Sequence, residues 1–247
     1  MLTPYEVGHC LLRPFDHPLR QHVYRTLRSW ERAAGRPLRV LDVGGRRSQY
    51  TIGLKSTIAV SDIPKETALQ KHLDLGATDS MRQQLLARRS NVSHYVIDDM
   101  TATKLAAESF DVVVAVEVIE HVDDDEAFIR NIGTVLVPGG RVLLTTPNGD
   151  YRPVPYPDHR RHYTADGLRA ILARHMNVLD LGYLVNAGRL MSFGTHKPSL
   201  SQLPRTLLSP VAFGAATHLE RLGYGGNGPH GKLHLVATGH TNARRQS

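Results

Sequence analysis

The sequence holds a single cysteine, Cys10, which excludes an intrachain disulfide and fits a reducing compartment, so a cytoplasmic location is expected. Aromatic residues make up only 6% of the 247, with one tryptophan, and a pocket built on stacked large rings is not expected. Long hydrophobic runs are missing too. The strongest, Val112 to Val116, ends at Glu117, far short of a membrane span, and the N-terminal stretch has no uninterrupted apolar segment. There is no internal repeat, no low-complexity tract and no basic tail. What remains is 41% hydrophobic and 21% charged residues, values of an ordinary globular chain that exclude collagen-like, coiled-coil and fully disordered classes. Thirty Lys and Arg against 23 Asp and Glu give a formal charge of +7, which favours anionic partners but is scattered along the chain.

From Leu38 to Asn148 short β-branched runs alternate with helix-like segments, which predicts an α/β fold with a doubly wound parallel sheet. Strands are expected at Arg39 to Val43, Thr57 to Ser61, His94 to Ile97, Asp111 to Val116 and Arg141 to Thr145. After the fourth strand a helix is predicted, capped by Asp123 with Glu126 reaching back. It buries Phe128, Ile132, Val135 and Leu136 and stops at Pro138-Gly139-Gly140. Thr164 is expected to cap a second helix that buries Leu168, Ile171 and Leu172, followed by strands at Val178 to Val185 and Lys232 to Thr238. Residues 1–35, with a helix from Leu19 to Ala33, form a helical cap on a domain of residues 36–247. The stretch of about 186–230, helical from Leu203 to Leu222, is expected to be a lid or interface insertion, which makes a homodimer the expected assembly.

Ligands of open parallel sheets bind beyond the carboxyl ends of the strands, and the chemistry is sought there. Val40-Leu41-Asp42-Val43-Gly44-Gly45 runs a buried strand into a glycine turn that lets a ligand approach backbone amides. Asp62 follows Asp42 by twenty residues at the end of the next strand, where a carboxylate can accept from a ribose. Asp98, Asp99 and Met100 follow the third strand. Glu117, Glu120 and His121 have the spacing that places them on one face of a turn, a set suited to Mg²⁺ or another divalent metal. The loop Tyr151 to Tyr163 offers His159 and His162, three arginines and one aspartate to a polyhydroxylated molecule.

VLDVGG, the acid at 62, IDDM, FDVVVAVEVIEHV, PGGRVLLTTPN and DHRRHYT together resemble the class I S-adenosylmethionine-dependent methyltransferases, over roughly Leu38 to Val185. EVIEHV and HRRHYT are most similar to the small-molecule O-methyltransferase branch that includes the ubiquinone-pathway enzymes. The resemblance implies that S-adenosylmethionine is the cofactor, with Gly44 at its methionine part, Asp62 at its ribose and Asp99 or Asp98 at its adenine amine; the alternative to a metal at Glu117, Glu120 and His121 is that Glu117 holds the cofactor amine and the other two shape the pocket floor. Asp42, Gly45 and Met100 belong to the same expected cofactor set. The chain departs from the family at Arg46 and Ser48, where further glycines are usual, and Arg46 is a candidate clamp for the cofactor carboxylate.

The expected reaction is in-line methyl transfer to a hydroxyl of a small polyhydroxylated substrate, preferably a saccharide, with His121, His159 or His162 as base or a metal lowering the hydroxyl pKa. A phenol, quinol or lipid-linked acceptor is the nearest alternative. A nucleic-acid methyltransferase fits the positive charge, but no RNA-binding module is visible and no nucleic-acid partner is expected. A dinucleotide oxidoreductase lacks its Gly-x-Gly-x-x-Gly run, and a non-catalytic scaffold is the remaining class.

Overall fold

The computed structural model describes residues 1–65, 76–186, 191, 203–222 and 228–242. Seven strands form one sheet: β1 (Arg39–Val43), β2 (Thr57–Asp62), β3 (Val92–Ile97), β4 (Phe110–Val116), β5 (Leu136–Pro147), β6 (Asn177–Asn186) and β7 (Lys232–His240). Their order is β3-β2-β1-β4-β5-β7-β6. The first five are parallel, as expected, while β7 runs antiparallel to both β5 and β6 and makes the sheet mixed. The chain direction across the sheet reverses between β1 and β4, so a crevice opens beyond their carboxyl ends.

Alternate residues of the central strands face opposite layers, the two-residue period of an extended chain. Leu41, Val113, Ala115 and Leu144 pack on Phe128 and Ile132 of α4 (Asp125–Val135) and on Leu168 and Leu172 of α5 (Ala165–Ala173). On the other face, Val40, Ile58, Val112 and Val114 pack on Leu19, Val23 and Leu27 of α2 (Pro18–Ala34). Burial of both faces accounts for the continuous apolar runs of β1 and β4.

The expected helices form with shifted ends. Asp124 caps α4, accepting from the Ala127 amide at 2.9 Å, because it stands three residues before that amide and Asp123 stands four. Glu126 does not reach back; it pairs instead with Arg174 and His175 at 2.7 and 2.5 Å. The helix ends at Val135 and Leu136 already opens β5, ahead of the Pro138-Gly139-Gly140 stop. Thr164 caps α5 as expected, accepting from the Gly167 amide at 3.1 Å. The helix expected from Leu203 spans Leu203–Arg221 and is labelled α6. Of the proposed lid or interface stretch, residues 187–190, 192–202 and 223–227 lie outside the described residues.

Two helices carry no expectation from the sequence, α1 (Pro4–Leu12) and α3 (Asp79–Arg88). α1 has a local signal in Thr3, Pro4 and Glu6. The Thr3 hydroxyl accepts from the Glu6 amide at 3.2 Å while Glu6 accepts from the Thr3 amide at 2.9 Å. Glu6 is fully buried and also accepts from the Ser90 amide and hydroxyl, which fastens α1 to the turn before β3. Glu31 of α2 likewise accepts from the Ser56 amide and hydroxyl, both at 2.7 Å, and ties that helix to the turn before β2.

Asp111, second in β4, holds the bottom of the sheet. It accepts from the Arg39 amide at 2.8 Å and from the Arg36 guanidinium at 2.9 and 3.1 Å. Burial raises its carboxyl, but the bonds from Arg36 and Arg39 outweigh that and hold it down at about 2. A folded-state value below the unfolded 3.8 adds stability above that pH and loses it as the pH falls toward 2. Both arginines are more than half exposed, so the buried amide bond carries most of the effect. Asp111→Asn is therefore expected to cost about 1–2 kcal/mol at neutral pH and to flatten the fall of Tm between pH 3.8 and 2, read by thermal denaturation across pH.

Candidate active site

β1 ends in Gly44, whose φ of 67° suits glycine and whose amide donates to the Ser61 carbonyl at 2.8 Å. A Cβ there would lie 2.8 Å from Cγ2 of Val118, on the loop after β4. At Gly45 a Cβ would lie 2.4 Å from Cγ of Asp42. Asp42 itself is fully buried beneath this turn and accepts from the Tyr50 hydroxyl at 2.8 Å. Burial pushes its carboxyl up to about 6, with Ser48 and Tyr50 pulling the other way. Asp42 thus supports the turn from below and does not line the crevice.

Gly44, Arg46, Asp62, Asp98, Asp99, Met100, Glu117 and His121, expected from widely separated segments, line one cavity of about 200 Å³. Asp62 accepts from the Ile63 amide at 2.9 Å and from the Tyr95 hydroxyl at 3.3 Å, and it faces Arg46 Nε at 3.8 Å. Burial raises its carboxyl, opposed by Arg46. The two acids after β3 divide their work. Asp98 has both oxygens engaged, Oδ2 by the Thr103 hydroxyl at 2.6 Å and Oδ1 by the Lys104 amide at 2.8 Å. Asp99 receives Thr101 on Oδ1 alone, by its amide and its hydroxyl, which leaves Oδ2 for a ligand. Met100 is buried at the floor.

Glu117 has φ 55°, a left-handed backbone that is costly for a residue with a side chain. Its amide donates to the Thr145 carbonyl at 3.1 Å, and its carboxylate accepts from the Thr145 hydroxyl at 2.9 Å and from His234 Nδ1 at 3.0 Å. Burial would raise this carboxyl, but His234 and Thr145 outweigh it and the group is lowered. His234 stands on β7 and meets the ring of His17, whose burial and proximity to His234 lower it to about 3. His17 and His234 carry no motif; the antiparallel β7 brings His234 to Glu117 and the start of α2 brings His17 to His234, while Thr145 is placed by β5 beside β4.

Glu120 is buried, accepts from the Thr146 hydroxyl at 3.1 Å through Oε2 and has no hydrogen-bond partner at Oε1. Burial and the Glu117 carboxylate push it well above the usual range. The expected set of Glu117, Glu120 and His121 does not converge in this form. A carboxylate oxygen of Glu120 and a ring nitrogen each of His121 and His159 lie within 4.8 Å of one another, while Glu117 is held toward Thr145 and His234. One carboxylate and two imidazoles suit Zn²⁺ or Mn²⁺ better than Mg²⁺, which takes oxygen ligands.

Hydrogen bonds fix the imidazoles. His121 Nδ1 donates to the Asp158 carbonyl at 3.0 Å, leaving Nε2 with its lone pair. His162 Nδ1 donates to the Arg152 carbonyl at 2.7 Å, so its Nε2 accepts from His159 Nδ1 at 2.9 Å and His159 keeps a lone pair on Nε2. Of the three candidate bases, His162 is thereby an orienting group and His121 and His159 retain basic nitrogens. Tyr163 and Arg161 both bond Asp125 of α4, and Arg160 pairs with Asp123 at 2.9 Å, which pins this rim loop to the start of α4.

This strand order, with a glycine turn after β1 and acids after β2 and β3 around one cavity, defines a class I S-adenosylmethionine-dependent methyltransferase. The chain belongs to the family described as methyltransferase domain, whose model matches residues 19–197. It is 33% identical over 117 residues to a ubiquinone biosynthesis O-methyltransferase of Caulobacter sp. (strain K31), covering 45% of this chain and 41% of that protein. The chain thus matches about two fifths of that curated relative's length. Its fold is similar to an SAM-dependent methyltransferase from Archaeoglobus fulgidus, with TM-score 0.54, 15% identity, and coverage of 90% and 94% of the two chains. It is also similar to the [4+2]-cyclase SpnF, with TM-score 0.53, 18% identity, and coverage of 84% and 76%.

The unequal occupation of the two acids gives a sharp expectation. Asp99→Asn should weaken S-adenosylhomocysteine binding about tenfold, the loss of one hydrogen bond to a charged group. Asp98→Asn should lower Tm and leave affinity within about threefold. Calorimetric titration and thermal denaturation of both variants check this.

Proposed function

We propose that the chain is an S-adenosylmethionine-dependent O-methyltransferase acting on a hydroxyl of a small polyhydroxylated molecule. One observation carries this reading: His121 lines the cofactor cavity and at the same time belongs to the cluster with Glu120 and His159, so proton acceptors border the cavity. The bound cofactor would supply an electrophilic methyl group. Gly44 would let it approach the backbone, Asp62 would accept from its ribose hydroxyls, Asp99 Oδ2 from its adenine amine, and Glu117 would face its ammonium group. Arg46 now faces Asp62 and would swing toward the cofactor carboxylate as the ribose takes its place.

His159 Nε2 would take the acceptor's proton, with His162 holding the ring in the required tautomer and His121 beside it at a ring separation of 4.7 Å. A divalent ion fits the same donors, and the unpartnered Oε1 of Glu120 supports that fit. Such an ion would draw Glu120 into its ionised form and lower the hydroxyl pKa. We favour a saccharide because Arg152, Tyr156, Asp158 and Arg160 give the rim hydrogen-bonding groups in place of large apolar rings. The phenol or quinol reading is favoured by the relative named a ubiquinone biosynthesis O-methyltransferase. Residues 1–35 are proposed as the cap of a domain of residues 36–247, and the working form as a homodimer.

Transfer of a labelled methyl group from S-adenosylmethionine to a panel of glycosides, catechols and phenols, with and without Mn²⁺ and a chelator, tests the proposal. Label in glycosides is the expected result; label in catechols alone moves the acceptor to the phenol class, and no transfer to any hydroxyl overturns the reading. His159→Gln is expected to reduce kcat about 10²–10³-fold with cofactor affinity unchanged. His162→Ala should cost less, because it removes an orienting bond and leaves the accepting nitrogen in place.

A further inference from the structure

Away from the cofactor cavity, α6 lies against α2 and the 3₁₀ turn Arg13–Phe15. Between them is a cavity of about 390 Å³ whose wall carries Arg13, Arg25, Thr217, His218 and Arg221. A smaller one of about 150 Å³ continues it past Arg25, Thr217 and Arg221 toward His22 and Glu220. Among the described residues, the titratable groups on these walls are basic except Cys10, Tyr24 and Glu220.

Glu220 is engaged through Oε1, which accepts from Lys232 Nζ at 2.8 Å and from the Val185 amide at 2.7 Å. Arg13 is committed as well, donating to the Ile52 carbonyl at 2.7 Å and lying 3.6 Å over the Tyr24 ring. Arg25 is different. Its Nη1 is buried and has no hydrogen-bond partner. Burial and the like charge of Arg221 lower its guanidinium against the weaker pull of Glu220. His22 is likewise lowered by burial and by Arg25, with Glu220 and Asp180 opposing. Thr217, 3% exposed, accepts from Gln21 Nε2 at 3.2 Å, which leaves its hydroxyl proton to donate.

Two guanidiniums of like charge therefore share the walls of a half-enclosed cavity, with an unsatisfied N–H and a spare hydroxyl proton, while Glu220, the one carboxylate among the described residues of these walls, is shared with Lys232. We infer that this cleft between α2 and α6 binds a phosphate-bearing anion, held by Arg25 and Arg221 with Thr217 as a third donor. A tetrahedral oxyanion offers acceptors in several directions at once, which suits two forked guanidiniums and a hydroxyl better than a planar carboxylate does. The volume exceeds that of a bare phosphate, so the ligand class is a small phosphate monoester. The site is independent of the methyl-transfer reading, because none of its residues lines the cofactor cavity.

The test is titration of the full chain with inorganic phosphate, glycerol 3-phosphate, and vesicles of phosphatidylcholine with and without phosphatidic acid. It is run on wild type, Arg25→Gln, Arg221→Gln and the exposed control Arg169→Gln. Binding of either soluble phosphate, weakened at least tenfold in both cleft variants and unchanged in the control, is the expected result. Binding confined to phosphatidic acid vesicles with the same arginine dependence keeps the site and assigns its phosphate to a lipid headgroup. Phosphate binding that ignores Arg25, or no binding to any probe, overturns it. Tm without ligand supplies a second reading: Arg25→Gln relieves a like-charge contact and should leave Tm unchanged or higher, and a marked drop would make Arg25 a structural residue and sink the proposal.

Discussion

The loops that follow β1 and β4 meet at a distance that a side chain at position 44 would not allow, with Val118 2.8 Å from where its Cβ would stand. That approach closes the crevice at the point where strand order reverses and gives the cavity its floor. Because the strands on either side are buried on both faces, the two loops have no freedom to part, and the packing that fixes the sheet also fixes the site. The left-handed backbone of Glu117 follows from the same geometry. The chain must turn sharply off β4 to pass Gly44, and the bonds from Thr145 and His234 offset the strain of that turn.

Buried carboxylates do two different jobs in this protein. Glu6 and Glu31 are surrounded by donors and fasten the N-terminal helices, while Asp42 accepts from Tyr50 and supports the glycine turn. Glu117 and Glu120 stand three residues apart on one short turn, yet their environments push them in opposite directions. A histidine beside Glu117 favours its charge, while burial and the neighbouring charge of Glu117 oppose ionisation of Glu120. A pair separated in this way offers one permanent anion and one group able to carry a proton or a metal ion.

The similarity to both a methyltransferase and a [4+2]-cyclase at comparable TM-scores shows that this sheet does not itself fix the chemistry. Beside the cavity, His121 joins its lining to the cluster that it forms with Glu120 and His159. The order in the rim loop comes from outside it, through Asp123 and Asp125 at the start of α4.

The sequence by itself determined the parallel core strands, the helices capped at Asp124 and Thr164 to within a residue or two, and the loops carrying Gly44, Asp62, Asp99 and Glu117. Those features rest on local rules: two-residue alternation, three-residue capping geometry, and glycine where φ is positive. Tertiary structure decided what no local rule reaches. That Glu117 turns away from Glu120 and His121, leaving His159 to join them, depended on a histidine of β7 more than a hundred residues on. Asp42 looked like a ligand group by its place in the strand and proved to be a buried support, because its side chain points under the turn that it precedes. Hydrogen-bond partners far apart in the chain are set by which strands pair and which helices cover them, and residue spacing carries no record of that.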